Sequence, residues 1–318
     1  MNIVILDGYT LNPGDNPWTA LEKLGNVTVH DRTPAAQILE RARDAEILLT
    51  NKTPLNAETL AQLTKLKFIA VLATGYNVVD VAAAAKRGIP VCNVPIYSTK
   101  MVAQHAFALI LELCDQVGLH DRSVHDGEWA RCPDFSYWKS PVLELDGKTL
   151  GLVGGGRIGQ AVGAIGRAFG MEVWTTPSRS RPVITEPGWS VKSVEEIFRG
   201  ADVISLHCPQ TATNAGFVNR TLLATMKPTA LLINTARGGL IVEEELAEAL
   251  RKGVLAGAAV DVVSAEPIKA DNPLLRAPNC LITPHVAWSS LPARQRLTAV
   301  SVGNVQGFLE GKLTNRVN

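Results

Sequence analysis

At 318 residues the chain is long enough for two domains, and with 46% hydrophobic and 19% charged residues it has the composition of an ordinary soluble globular protein. Its 31 Lys and Arg against 30 Asp and Glu leave a formal net charge of +1, which gives no support for binding nucleic acid or a membrane surface, since both favour clustered cationic charge. Small molecules are the partners that this balance favours.

The chain opens Met1-Asn2-Ile3-Val4-Ile5-Leu6-Asp7 and reaches a carboxylate before a secretory apolar core forms, so this segment reads as a first β-strand. No apolar stretch is long enough to span a bilayer. Short apolar runs at 3–6, 27–30, 47–50, 68–72 and 91–94 alternate with helix-like segments, which predicts a parallel sheet covered on both faces. Residues 98–117 predict one long helix linking the domains, with Val102, Ala106, Leu109, Leu113 and Val117 on a common face. The segment 118–145 is rich in aromatics (Trp129, Phe135, Tyr137, Trp138) but is broken by Pro133 and Pro141, so it reads as an irregular arm suited to packing on another subunit. A second alternation has strands at 150–153, 173–176, 203–207, 231–234, 257–261 and 281–283. From Ser290, helical spacing returns through Leu297, Val300, Val302, Val305 and Phe308, and this helix is expected to cross back to the first domain. The expected organisation is a discontinuous substrate domain of 1–97 and 291–318 and a dinucleotide-binding domain of 98–290 that includes the arm.

Five widely spaced cysteines, Cys92, Cys114, Cys132, Cys208 and Cys280, form no C-x-x-C pair and read as reduced thiols of a cytoplasmic protein. His30, His105, His120 and His125 show no metal-ligand spacing, so no metal is expected, and His207 reads as structural.

The run Thr149-Leu150-Gly151-Leu152-Val153-Gly154-Gly155-Gly156-Arg157-Ile158-Gly159 is a buried strand passing directly into a helix, and Gly154, Gly156 and Gly159 fit G-x-G-x-x-G. The first glycine permits the tight turn, the second lets backbone approach a pyrophosphate, and the third lets helix pack on strand. The N–H groups at the helix start, through Arg157 and Ile158, then attract the anion. A dinucleotide is the expected ligand.

Three polar residues stand just beyond later strands: Arg237, Glu266 and His285. Ligands of open parallel sheets bind outside the carboxyl ends of the strands, so all three are placed to meet there. Together they suit hydride transfer to a 2-oxo acid. Arg237 would hold the substrate carboxylate or polarise its carbonyl, His285 would protonate the oxygen that becomes negative, and Glu266 would orient the imidazole and favour its charged form. A dinucleotide-sensing interaction protein without turnover is the alternative from another class, but it has no physical need for all three.

With these residues in place, the chain resembles the D-2-hydroxyacid dehydrogenase family, most closely its glycerate dehydrogenase or hydroxypyruvate reductase branch. The resemblance runs nearly end to end. It rests on Ala73-Thr74-Gly75-Tyr76-Asn77, Val102-Ala103-Gln104-His105, Gly147-Lys148-Thr149-Leu150-Gly151 with the glycine run, His207-Cys208-Pro209, Asn234-Thr235-Ala236-Arg237-Gly238, Asp261-Val262 with Glu266-Pro267, and Thr283-Pro284-His285 with Trp288. It implies two Rossmann-like, doubly wound α/β domains, the substrate domain flavodoxin-like, that close over the substrate in a cleft and exclude water. The aromatic arm and the long helix of 98–117 favour a two-fold homodimer. The family's arginine, glutamate and histidine are matched by Arg237, Glu266 and His285. Backbone N–H groups at Thr74 and Gly75 would take the substrate carboxylate, Pro209 would line the dinucleotide, and Asp261, which read alone is equally a strand-end cap, would accept from the nicotinamide carboxamide. Trp288 would line the substrate pocket, and Trp138 would reach the neighbouring subunit's pocket. The substrate class implied is hydroxypyruvate or glyoxylate, with formate or phosphite as the related alternative.

One departure concerns the coenzyme. Where an acidic side chain would grip the adenosine ribose of NAD, the chain reads Trp174-Thr175-Thr176-Pro177-Ser178-Arg179-Ser180-Arg181. Pro177 occupies the acidic position, and Ser178, Arg179 and Arg181 suit a 2′-phosphate, so NADP is expected ahead of NAD.

Overall fold

In the computed structural model, residues 1–177 and 186–318 are described. The chain divides into two compact units, Met1–Ser98 with Trp288–Asn318, and Thr99–Ala287.

The first unit is a five-stranded sheet of β1 (Asn2–Ile5), β2 (Asn26–Val29), β3 (Ile47–Thr50), β4 (Phe68–Val71) and β5 (Val91–Cys92), in the order β2-β1-β3-β4-β5 with every pair parallel. Parallel strands need crossovers, and a sheet wrapped by them is buried on both faces, which is why β3 and β4 are buried at every position and apolar throughout except at Thr50. Alternate side chains feed two cores. Ile3, Ile5, Ile47, Leu49, Phe68 and Ala70 face one, and Val4, Leu48, Ile69 and Val71 the other. The terminal helix Leu291–Leu309 covers the first of these through Leu297 and Val305, with Phe308 stacked on Phe68 at 4.7 Å. The tail then protects the β5 edge: the Val317 N–H donates to the Val91 carbonyl and the Asn93 N–H to the Asn315 carbonyl.

The second unit is a seven-stranded parallel sheet made of β6 (Thr149–Val153), β7 (Glu172–Thr175), β8 (Trp189–Val191), β9 (Val203–Leu206), β10 (Leu231–Asn234), β11 (Gly257–Val260) and β12 (Cys280–Ile282). Its order, β12-β11-β10-β9-β6-β7-β8, reverses direction between β6 and β9, the point at which a doubly wound sheet opens a ligand crevice. Leu150, Leu152, Val173, Leu231 and Ile233 face one core with the helices Thr99–Asp115 and Arg157–Ala168; Ile204, Leu206, Leu232 and Val260 face the other.

Three features differ from the sequence reading. The helix of 98–117 ends at Asp115, because Gln116 takes a left-handed φ of 47° and Val117 starts a new helix, Val117–His125, with its side chain exposed rather than on the buried face. Strand β8 is additional: three residues carry too little periodicity to be read, and pairing with β7 makes them a strand. Trp288 joins the first unit, where its ring meets Tyr97 edge-on at 6.3 Å. Among the described residues, no helix is long and apolar enough to cross a membrane.

Candidate active site

The glycine turn leaves β6 at the switch point. Gly154 has φ +118°, and a Cβ there would lie 2.5 Å from the His207 carbonyl carbon and 2.7 Å from the Cys208 nitrogen, so both backbone conformation and close approach demand glycine. At Gly159 a Cβ would sit 2.0 Å from the Gly154 oxygen, which is how the helix comes down onto the strand. Gly156 is different. It caps the helix Arg157–Ala168, and a Cβ there would meet nothing within 4 Å. The open face lies just where helix N–H groups present partial positive charge, and this cradle fits a pyrophosphate. Arg157 is exposed beside it and Ile158 half-buried.

The far wall of the crevice comes from the turn after β9. His207 accepts or donates through Nε2 to Ser205 Oγ at 2.8 Å, and desolvation pushes its pKa down to about 4, so it is a neutral structural imidazole. Pro209 is exposed next in line, with its carbonyl accepting from Asn214 Nδ2. Thr176, after β7, was not singled out by the sequence; its Oγ1 accepts the Gly154 N–H at 2.8 Å and so fixes the glycine turn. Val153, Thr176, Cys208, Arg199 and Phe217 line an adjoining cavity of about 700 Å³. Ser178, Arg179 and Arg181, expected at the 2′-phosphate, lie outside the described residues.

Strands β10, β11 and β12 are consecutive neighbours, so the residues that follow them emerge at one edge of the sheet. After β10 the Asn234 side chain shapes the turn, its Oδ1 accepting from the Ala236 N–H and its Nδ2 donating to the Arg237 carbonyl. Arg237 is exposed, with Nη1 donating to the Ala236 carbonyl at 2.6 Å. Gly238 lies against the loop after β11, where a Cβ would fall 1.9 Å from the Val263 carbonyl carbon. That loop delivers Glu266, whose Oε2 is 2.7 Å from His285 Nδ1 and whose Oε1 accepts from the Val263 N–H at 3.3 Å. The structure therefore joins Glu266 to His285 and packs the Arg237 turn on the loop before Glu266.

His285 has φ +54°, a conformation that costs an ordinary side chain energy and is retained where the surroundings over-determine it. Those surroundings are Asp261. Its carbonyl accepts the His285 N–H at 2.8 Å, and its carboxylate accepts from Thr283 Oγ1 at 2.6 Å, the Val286 N–H at 2.8 Å and the Ala287 N–H at 2.9 Å. His105 Nε2 is 3.4 Å from the same carboxylate and 3.1 Å from Thr283 Oγ1. The Asp261 carboxylate has no exposed surface, and in this arrangement it holds the loop carrying His285.

Burial works to raise the Asp261 pKa, but the hydrogen bonds from His105, Thr283, Ala287 and Val286 outweigh it and hold the carboxyl below its ordinary value. A depressed carboxylate contributes stability that is fully present above its unfolded pKa, about 3.9, and is lost as pH falls through the lower folded value. Melting temperature followed from pH 7 to pH 3 is therefore expected to drop below about pH 4 in part through this group. Asp261→Asn should flatten that drop and cost about 1–3 kcal/mol at pH 7, since its amide faces N–H donors. An unchanged acid profile in the variant would assign the dependence elsewhere.

In the first unit, Thr74 follows β4 with Oγ1 donating to the Val94 carbonyl at 2.7 Å, and its own carbonyl accepts from Asn93 Nδ2 at 2.7 Å. These bonds fix the turn that presents Gly75. In the arm, Trp129 Nε1 donates to the Phe135 carbonyl and Ser123 Oγ lies 2.6 Å from Tyr137 Oη, while Trp138 is 73% and Phe135 90% exposed.

A model of the D-isomer specific 2-hydroxyacid dehydrogenase, NAD binding domain, matches residues 107–287. The chain is 47% identical to a hydroxypyruvate reductase of Blautia hydrogenotrophica over 321 aligned residues, covering 100% of both chains. It is 41% identical to a glycerate dehydrogenase of Methylorubrum extorquens over 283, covering 88% of each. The chain belongs to the D-2-hydroxyacid dehydrogenase family. Within the family it falls in the glycerate dehydrogenase and hydroxypyruvate reductase branch. Among solved structures, an acyclic imino acid reductase in complex with NADPH and D-Arg superimposes with a TM-score of 0.87 at 30% identity, covering 100% of both chains. The protein is thus a nicotinamide dinucleotide oxidoreductase acting as a D-2-hydroxyacid dehydrogenase. Thr176, which fixes the glycine turn, and the buried Glu243, bonded to Ser264 and Asn272, were not singled out by the sequence. Neither carries a local signal, since each is defined by what the fold brings to it.

Proposed function

We propose that this dehydrogenase reduces a small 2-oxo acid, hydroxypyruvate or glyoxylate, to D-glycerate or glycolate, and that it prefers NADPH to NADH. The observation that carries the reading is the 2.7 Å contact between Glu266 and His285 beside the Arg237 turn. When bound, the reduced coenzyme supplies a hydride to C2 of the substrate. His285 makes no hydrogen bond through Nε2 among the described residues, and in this reading that nitrogen gives a proton to the carbonyl oxygen as negative charge gathers there. Glu266 accepts from Nδ1–H, fixing tautomer and ring orientation and stabilising the imidazolium. Arg237 retains guanidinium donors beyond the one engaged by Ala236 and uses them on the substrate carboxylate or carbonyl. Gly154, Gly156, Arg157, Ile158 and Gly159 hold the pyrophosphate, with Pro209 opposite.

The NADPH preference is supported by the absence of any carboxylate between Trp174 and Arg181. A 2′-phosphate paired with Ser178 and Arg179 gains charge-assisted bonds worth about 1.5–3 kcal/mol, or about ten- to a hundredfold in affinity. The exposed Phe135, Trp138, Val142 and Val117 support a homodimer formed through the arm, with Trp138 reaching the partner's pocket, and the five unpaired cysteines support a cytoplasmic setting. Initial rates with NADPH and NADH across hydroxypyruvate, glyoxylate and pyruvate test both parts. A kcat/KM ratio of about ten or more for NADPH is expected, with hydroxypyruvate or glyoxylate ahead of pyruvate. A preference for NADH removes the coenzyme assignment alone, whereas pyruvate as the best substrate removes the substrate class.

A further inference from the structure

The helix Glu243–Arg251 begins with three glutamates, but only Glu243 is buried, at 7% exposure. A carboxylate is costly to bury, and among the described residues this one has no cationic partner within ion-pair distance. Instead it accepts three neutral donors: the Ser264 N–H at 2.6 Å on Oε1, and Ser264 Oγ at 2.8 Å and Asn272 Nδ2 at 2.9 Å on Oε2. The helix start adds favourable partial positive charge. Two of the three bonds come from Ser264, two residues before Glu266. The neighbouring Val263 N–H bonds Glu266 Oε1, and the Val263 carbonyl abuts Gly238, next to Arg237.

We propose that Glu243 is a positioning residue for the proton donor, pinning the Val263-Ser264 peptide so that Glu266 meets His285 in register with the Arg237 turn. This rests on the reading of the Glu266–His285 pair given above. A carboxylate is the one side chain of this size that accepts at both oxygens. Glutamine in its place must turn its NH2 toward either the Ser264 N–H or the Asn272 amide, so that one of the bonds fixing this loop becomes a donor–donor contact.

The experiment is a double-mutant cycle of Glu243→Gln and Glu266→Gln, read as kcat and as KM for NADPH with hydroxypyruvate saturating. Glu243→Gln is expected to lower kcat about tenfold or more with KM for NADPH within about twofold, and to add nothing in the Glu266→Gln background, as groups acting in series do. A carboxylate that merely stabilises the fold lowers both backgrounds by the same factor, and that result overturns the proposal. So does kcat within about twofold of the parent. If the glutamine variant does not fold, Ser264→Ala, which removes one donor and leaves the backbone bond, takes its place in the same cycle with a smaller expected loss. A severe Glu266→Gln with a silent Glu243→Gln sinks only this inference. A near-normal Glu266→Gln sinks the proton-donor reading and this inference with it.

Discussion

His285→Ala is expected to lower kcat by about 100- to 10,000-fold, the range that a positioned general acid contributes. Methyl in place of imidazole leaves the alkoxide that forms on hydride arrival to take its proton from water. The pyrophosphate cradle, built from the β6 turn and the start of the helix Arg157–Ala168, is untouched, so binding of NADPH followed by nucleotide fluorescence should stay within about threefold of the parent. The left-handed φ of 54° at position 285 is strained for alanine as it is for histidine, so folding is little altered by the exchange. Near-parental turnover in the variant would rule out His285 as the donor.

The second large effect is at Arg237. Arg237→Lys keeps the charge but loses the planar fork, and at a site where paired donors meet a carboxylate or a developing oxyanion the exchange is not conservative. A fall of about 100- to 1,000-fold in kcat/KM is expected, comparable with removing one oxyanion donor elsewhere. The turn itself should persist, because Asn234 holds it through the Ala236 N–H and the Arg237 carbonyl, neither of which depends on the side chain at 237. Partial recovery of an Arg237→Ala variant by added guanidinium would tie the loss to the missing group. A lysine variant within about threefold of the parent would show that charge alone suffices and that the fork geometry plays no part.

Much of this was legible locally. The runs at 47–50 and 231–234 are strands as read, since three consecutive apolar residues closed by a polar one at the strand end, Thr50 or Asn234, fit a two-sided parallel sheet. The glycine turn was equally plain, because a positive φ at Gly154 and the near contact at Gly159 exclude side chains whatever the rest of the chain does. The long helix was misjudged at its end. Val117 continues the apolar spacing of Val102, Ala106 and Leu109, but periodicity is blind to a single left-handed residue, and Gln116 supplies one.

What the amino-acid sequence alone determined is therefore the succession of strands and helices, the glycine turn, and the placing of Arg237, Glu266 and His285 beyond strand ends, because hydrophobic period and backbone sterics act over a few residues. The tertiary structure decided which polar groups are partners. The strand order β12-β11-β10-β9-β6-β7-β8 sets three separate turns side by side, brings Glu266 to His285 across 19 residues, and closes Asp261 and Glu243 off from water. Burial and pairing of a charge depend on neighbours distant in the chain, and a carboxylate's letter is the same whether it faces solvent, as Glu244 does, or is buried and grips the Ser264 loop, as Glu243 does one residue earlier.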